Sequence, residues 1–181
     1  MRSGVQLKTV ELTDGREAVL RTPRWEDLDD FLDFIHALID EEVDITILEK
    51  PTRESEAEWL ANRLRSMESG RVIAVVGEVD GKVVANSEVM IKPGRMSHVG
   101  LLGISVSHEY RDVGLGYEMM KTLIEESRKE GLEVLVLDVF ATNRRAIYQY
   151  EKVGFRHTGM IPKGIKRNRK HIDLLRMALE L

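Results

Sequence analysis

The sequence contains no cysteine, which excludes disulfide scaffolds, cysteine-ligated zinc or iron–sulfur centres and thiol nucleophiles. Proline is scarce, with four residues in 181, and no proline-, glycine- or serine-rich linker divides the chain. We therefore expect one domain over residues 1–181. No apolar run approaches the roughly 18 residues of a membrane span, and the N-terminal residues lack the apolar core of a signal peptide. These absences predict a cytoplasmic protein without a membrane partner.

Metal-binding patterns and an excess of positive charge are also lacking. The five histidines are scattered and form no HExxH pair, so no metal site is predicted. The formal net charge of −4 gives no electrostatic reason to expect a nucleic-acid partner. Apolar residues make up 43% of the chain and charged residues 32%, which is typical of a folded globular protein.

The order of the predicted elements indicates an α/β or α+β mixed sheet. Antiparallel hairpins come first, and a strand–helix–strand unit follows, so we expect a central, mostly antiparallel sheet flanked by helices. The predicted elements are hairpins at 5–22 and 71–91, helices at 25–39, from Pro51, at 115–130 and at 144–152, and strands at 99–106, 134–140, from Phe155 and at 172–179.

A glycine-containing loop follows the strand that ends at Val106 and opens the next helix. It reads Arg111-Asp112-Val113-Gly114-Leu115-Gly116. Glycines let a phosphate approach the backbone, and the first helical turn offers unpaired N–H groups, so the loop predicts an anion site. A dinucleotide fingerprint would need glycine where Met119 stands, and no Gly-Lys-Ser/Thr follows. A strand-to-helix turn without a ligand is the alternative.

Residues 143–155 form a second motif, N-x-x-A-I-x-x-Y-x-x-x-G-F. Asn143 suits a helix N-cap, and Gly154 suits the left-handed position after the helix. The pair of motifs resembles the GNAT superfamily of N-acetyltransferases, whose acetyl-CoA site combines a strand, R/Q-x-x-G-x-G/A and this second motif. The resemblance covers most of the chain. It implies a GNAT-type acyl-CoA N-acyltransferase fold, acetyl-CoA as co-substrate and no metal.

The resemblance also implies roles for individual residues. In the family, the strand at Ile104, Ser105 and Val106 offers backbone groups to the pantetheine arm and the thioester carbonyl. Asn143 contacts the pantetheine, and Tyr150 lies near the sulfur, where it can protonate the leaving thiolate. The residues alone leave a capping role for Asn143 and a core position for Tyr150 as alternatives. The pyrophosphate is wrapped by the backbone of Arg111, Asp112, Val113, Gly114, Leu115 and Gly116.

A base should help the reaction, because an ammonium group has no lone pair for attack. Asp138 is the first candidate, since it interrupts the apolar strand 134–140. It lies five residues before Asn143, the offset at which the family's ribosomal-protein-alanine acetyltransferases carry a catalytic glutamate. The shorter side chain favours a water relay, and a structural carboxylate bonded to backbone or arginine is the alternative. The other candidates are Glu88, second, and His98 and His108, third.

Charge is unevenly distributed along the chain. Nine carboxylates and no Lys or Arg lie between Glu26 and Asp44. The resemblance places this region beside the acceptor cleft, so it predicts either an acidic wall that attracts a cationic acceptor or a solvated helix face. A basic run is expected in the last hairpin loop, solvated or facing an acidic partner: Lys163, Lys166, Arg167, Arg169 and Lys170.

The sequence therefore predicts an N-acetyltransferase that transfers the acetyl group of acetyl-CoA to a primary amine by direct attack in a ternary complex. The amine belongs to a small molecule or to a protein N-terminus or lysine. A non-catalytic module that binds coenzyme A, as a sensor or interaction domain, is the alternative. A homodimer is left open.

Overall fold

Eight strands form one sheet in the computed structural model, which describes residues 1–181. Across the sheet the strand order is β1-β2-β3-β4-β5-β6-β8-β7, and all neighbours are antiparallel except β5 and β6. The expected mixed, mostly antiparallel sheet is confirmed. The strands are β1 (Gln6–Glu11), β2 (Glu17–Arg21), β3 (Val72–Val79), β4 (Lys82–Ile91), β5 (Val99–Val106), β6 (Val134–Phe140), β7 (Arg156–Arg167) and β8 (Lys170–Glu180).

Helices cover both faces of the sheet. They are α1 (Leu28–Asp40), α2 (Arg53–Glu68), α3 (Leu115–Lys129) and α4 (Arg144–Lys152). The main core lies under α3 and α4, where Met119 and Leu123 pack with strand residues such as Leu135. A smaller core under α1 and α2 joins Phe31 and Leu60 to the sheet. None of the helices is long and apolar enough to cross a membrane.

The parallel pair β5–β6 separates along its length. Register runs from Val99 opposite Val134 to Leu101 opposite Val136 and then stops. Residues 104–106 continue to pair with β4 on their other side. The β5 edge that faces β6 is therefore without a strand partner near Val106, and a gap opens at the carboxyl ends of the two strands.

The last hairpin differs from the prediction. Strand β7 extends to Arg167 and β8 begins at Lys170, so only Asn168 and Arg169 form the turn, both with positive φ. The expectation that the whole basic run lies in a loop is wrong. Pairing with β8, which is itself held by β6, keeps the basic segment extended despite its polar composition.

One ion-pair network is buried between β2 and the start of α1. Arg21 donates from Nη1 and Nη2 to the Asp27 carboxylate at 2.8 and 2.7 Å, and from Nε to Glu78 at 2.7 Å. Arg21 is 4% exposed and Asp27 is 2% exposed. Removal of Asp27 leaves Nη1 and Nη2 of the buried Arg21 without a carboxylate, and only Glu78, at Nε, still balances the charge.

Asp27→Ala should therefore lower the free energy of unfolding by about 3–5 kcal/mol. Asp29→Ala is the matched control, because Asp29 pairs with Arg53 on the surface, with side chains 73% and 61% exposed. Its removal should leave stability almost unchanged. Urea unfolding of the three proteins measures both effects. Equal losses in the two variants would contradict a special cost at Asp27.

Candidate active site

A cleft of about 640 Å³ opens where β5 and β6 separate. Ligands of open sheets bind outside the carboxyl ends of parallel strands, and this is the one such place in the sheet. Most of the residues proposed from the sequence as cofactor contacts line it. They are Ile104, Ser105, Val106, Arg111, Asp112, Gly114, Gly116, Asn143 and Tyr150.

Two of the proposed cofactor contacts do not line the cleft. The Leu115 side chain is fully buried in the main core, and Val113 packs against that core. The Val113 carbonyl accepts a hydrogen bond from the Thr13 N–H at 3.0 Å. The prediction for these two residues concerns their backbone and stays a prediction: the side chains of Val113 and Leu115 pack into the fold, while Gly114 and Gly116 line the cleft.

The start of α3 presents backbone donors to the cleft. Gly114 has φ +91°, a conformation that side chains disfavour, and its carbonyl accepts the first helical hydrogen bond, from the Glu118 N–H at 3.1 Å. The N–H groups of residues 115–117 precede that bond and have no acceptor within the helix. A Cβ added at Gly116 would meet only Val106 Cγ2, at 3.6 Å. The helix start is thus an open cradle for an anion.

The arginines near this cradle already have acidic partners. Arg111 Nε donates to the Val106 carbonyl at 2.8 Å, and Nη2 donates to Glu41 Oε2 at 2.6 Å. Arg145 of α4 lies 3.0 Å from the Asp112 carboxylate. Phosphate oxygens would compete with these carboxylates for the guanidinium groups, whereas the backbone N–H groups of α3 are free.

The second motif forms α4 on the opposite wall. Asn143 Oδ1 accepts from the Ala146 N–H at 3.0 Å, so the predicted N-cap is present and its side-chain NH₂ is left for other partners. Tyr150 is 8% exposed, and its ring meets Phe155 edge to face at 6.0 Å between centroids. Burial raises the pKa of Tyr150 to about 12, so the hydroxyl keeps its proton at neutral pH.

Asp138 lies outside the cleft and is engaged by an arginine. Leu137 and Val139 enter the core under α3, so Asp138 faces the side of the sheet that α1 and α2 cover. Arg176 of β8 donates to both of its oxygens, at 2.8 and 2.7 Å. This bidentate pair is the structural arrangement that the sequence left open as an alternative, and it engages both carboxylate oxygens.

Glu88 is the more deeply buried of the two carboxylates. It faces the same side of the sheet, where its Oε2 lies 2.9 Å from Arg63 Nε of α2, and its side chain is 16% exposed. Burial raises the pKa of Glu88, and the positive charge of Arg63 offsets part of that rise. Its register partner on β5 is Gly103, where an added Cβ would meet nothing within 4 Å. The space beside Glu88 at Gly103 is therefore open.

The two histidine candidates stand apart from the cleft. His98 is exposed at the start of β5, where its carbonyl accepts from the Glu133 and Val134 N–H groups. His108 is exposed, and its Nδ1 lies 3.5 Å from Arg111 Nη1. Neither ring lines the cleft, so the geometry brings no histidine to the gap between β5 and β6.

The acidic stretch is largely neutralised by basic residues outside it. Only Glu42 and Asp44 of its nine carboxylates line the cleft. Arg167 donates to Asp44 Oδ1 at 2.7 Å and also contacts the Glu42 carbonyl. The other pairs are Asp27 with Arg21, Asp29 with Arg53, Asp40 with Lys50 and Glu41 with Arg111. The cleft therefore has no wall of unpaired carboxylates.

Several lining residues were missed by the sequence analysis. From α3 these are Tyr117 and Met120, and from α4 they are Arg145, Gln149 and Lys152. The three α4 residues follow one another at spacings of four and three, which puts them on one helix face. That polar stripe was a usable signal, because the face lies beside the Asn143 and Tyr150 positions.

Comparison with known proteins agrees with this geometry. Residues 31–155, more than half of the chain, match the model of the acetyltransferase (GNAT) family. An L-amino acid N-acetyltransferase of Escherichia coli is 32% identical over 109 residues, 58% of this chain and 65% of that protein. The crystal structure of ribosomal-protein-alanine N-acetyltransferase from Brucella melitensis superimposes with a TM-score of 0.80 at 25% identity, covering 90% of this chain and 99% of that one.

A phosphinothricin acetyltransferase from Sinorhizobium meliloti, solved in complex with acetyl-CoA, shares the fold at 17% identity, with a TM-score of 0.80 over 91% of this chain and 88% of that one. The chain spans 37 to 65% of the curated relatives with which it aligns. The GNAT fold expected from the two motifs is confirmed. The chain belongs to the acetyltransferase (GNAT) family.

Proposed function

We propose that the chain is an acetyl-CoA-dependent N-acetyltransferase that acetylates a primary amine by direct attack in a ternary complex, within one domain over residues 1–181. The observation that carries this proposal is the single cleft that joins three features. These are the free N–H groups of α3, the unpartnered β5 edge and the Tyr150 hydroxyl. No observation favours a non-catalytic module. The cytoplasmic location and a homodimer stay predictions.

The donor would lie across the gap between β5 and β6. The N–H groups of residues 115–117 suit its pyrophosphate, since they are unpaired and lie at the positive end of the helix dipole. The backbone of Ile104–Val106 can pair with the pantetheine amides as a strand would, because β6 does not bond to it, although the Val106 carbonyl already accepts from Arg111 Nε. The bound acetyl group supplies the electrophilic carbonyl carbon.

Tyr150 is suited to receive the leaving sulfur. As the amine nitrogen bonds to the carbonyl carbon and the carbon–sulfur bond breaks, the sulfur acquires negative charge. A tyrosine whose pKa is about 12 remains protonated and can donate a hydrogen bond to that sulfur throughout the step. The proton that the amine loses can then restore the thiol.

Glu88 is favoured over Asp138 as the base that removes a proton from the ammonium form of the acceptor before attack, while the proton lost after attack restores the thiol. Burial raises the pKa of Glu88 towards neutrality, which makes it a stronger base than an exposed glutamate. Asp138 has both oxygens engaged by Arg176. Neither carboxylate lines the cleft, so a water molecule would relay the proton in both cases.

Release of free thiol from acetyl-CoA in the presence of a panel of primary amines tests the proposal. Tyr150→Phe should lower kcat by roughly 10²–10⁴ with little change in the Kd of acetyl-CoA, because the ring packing is retained and only the hydroxyl is lost. Tyr148→Phe is the matched control on the same helix, since Tyr148 is 59% exposed and does not line the cleft. Binding of acetyl-CoA without turnover on any amine would favour the non-catalytic alternative.

Acetyl-CoA affinity should depend on the space at Gly116. Gly116→Val should raise the Kd more than tenfold, because its methyl groups would occupy phosphate space while its Cβ fits beside Val106. Gly159→Val on β7 is the control, where an added Cβ meets nothing within 4 Å. Calorimetry gives both constants, and a wild-type Kd for Gly116→Val would remove the loop from the donor site.

The pH dependence distinguishes the two bases. A base works only when deprotonated, so wild-type kcat/KM should fall as the pH drops through the raised pKa of Glu88. Glu88→Gln should abolish this acidic limb and lower kcat/KM, whereas Asp138→Asn should keep the limb. The acceptor must also lose its own ammonium proton, and the pH dependence that this causes remains in both variants. Loss of the acidic limb only in Asp138→Asn would show that Asp138 is the base. An acidic limb that persists in both variants would leave water as the only proton acceptor.

A further inference from the structure

A second cavity, of about 440 Å³, adjoins the cleft. It lies between the segment that joins α1 to α2, residues 41–52, here called the connector, and the end of β7. The cavity and the cleft share four lining residues, Leu38, Glu42, Val43 and Ile45, so the two spaces are adjacent. A cavity of this size is in the range of about 300–1,000 Å³ that small-molecule sites occupy.

The lining of this cavity is mainly aliphatic and aromatic. Eight of its fourteen lining residues are hydrophobic. Ile47 and Leu48 of the connector are 52% and 80% exposed, although both line the cavity. Phe140 and Ile165 contribute from β6 and β7. Apolar side chains of the connector therefore border a space that no other part of the chain fills.

Basic residues outnumber acidic ones in the lining of the cavity. Glu42, Lys166 and Arg167 line it, and Arg167 also bonds to Asp44 at 2.7 Å. A cationic acceptor tail would find no unpaired carboxylate among these groups, and moving it into an apolar space would cost solvation free energy. An apolar group would displace water from the same lining without that cost.

The cavity is also correctly placed for a substituent of the acceptor. Phe140 lies two residues after Asp138 on the same face of β6, about 6.6 Å along the strand. It lies three residues before Asn143, which lines the cleft. An amine that enters the gap between β5 and β6 from this face would therefore have the cavity beside it.

We propose that this cavity binds an apolar substituent next to the acceptor amine, so that the substrate class is primary amines with a branched aliphatic or aromatic group. This inference rests on the proposed function. Free apolar amino acids and peptides with an apolar first residue share the required chemistry. Polyamines do not, because their second charge would lie in the apolar cavity, and a lysine side chain offers only an unbranched methylene stem beside its amine.

A homologous series of acceptors tests the proposal. With saturating acetyl-CoA, kcat/KM for thiol release should rise up to about fourfold per added methylene from glycine amide through alanine amide to leucine amide. Phenylalanine amide should also be accepted, while serine amide and spermidine should be poor acceptors. Free amino acids and dipeptides form two further arms, which distinguish a small-molecule source of the amine from a peptide N-terminus.

A pair of variants on one strand connects the preference to the cavity. Ile165→Asn should reduce the ratio of kcat/KM for leucine amide over alanine amide at least fivefold, with an unchanged Kd for acetyl-CoA. Ile161→Asn is the matched control, because Ile161 is 49% exposed on the same strand and lies outside the cavity. Leu48→Asn, at an 80% exposed position, repeats the test should Ile165→Asn fail to fold.

The outcomes separate this inference from the proposed function. Thiol release at equal rates for apolar and polar amines, or best with spermidine, would overturn the inference and leave the acetyltransferase activity standing. An apolar preference that persists in a folded cavity variant would also overturn it. Binding of acetyl-CoA without thiol release from any amine would instead overturn the proposed function.

Discussion

The separation of β5 from β6 is the constraint on which the rest of the site depends. These strands are the only parallel neighbours in the sheet, and their register ends at Leu101 and Val136. An unbroken ladder would have bonded the β5 edge to β6 and closed the route between the two faces of the sheet. The gap leaves backbone donors and acceptors near Ile104 without a strand partner. It also opens both to the face of the sheet that carries α3 and α4 and to the face that carries the connector.

Two helix N-termini meet at this gap, and each begins for a different local reason. α3 begins at Gly114, whose left-handed conformation turns the chain from β5 into the helix. α4 begins at Asn143, whose side chain accepts from the Ala146 N–H. Both follow the carboxyl ends of the parallel strands, so the connectivity alone places the glycine loop opposite the motif with Tyr150. The spacing of the two motifs in the sequence reflects this crossover.

Local sequence patterns predicted these elements because each has a local cause. The predicted helix that follows Pro51, the hairpin at 71–91 and the Asn143 cap of α4 each depend on contacts between residues a few positions apart: in the structure Thr52 caps α2 and Asp80-Gly81 turns the hairpin. The sequence could not pair Asp138 with Arg176 or Asp44 with Arg167, which are 38 and 123 residues apart. An acidic stretch was therefore visible without the cations that neutralise it. The basic hairpin was predicted as a loop for the same reason, since its strand conformation depends on pairing with β8.

The paired charges also determine which groups are available to bind phosphate. Arg111 and Arg145 already contact Glu41 and Asp112, so a phosphate gains from either guanidinium only by replacing a carboxylate. The backbone N–H groups at the start of α3 have no such competitor. Their access depends on the missing side chain at Gly116. We therefore expect phosphate affinity to come mainly from the backbone N–H groups at the start of α3. Each arginine would contribute only the difference in free energy between its pair with phosphate and its present pair with a carboxylate. The ion pair of Glu41 with Arg111 also joins the connector to the glycine-containing loop, so a phosphate that displaces Glu41 would release a link between these two segments.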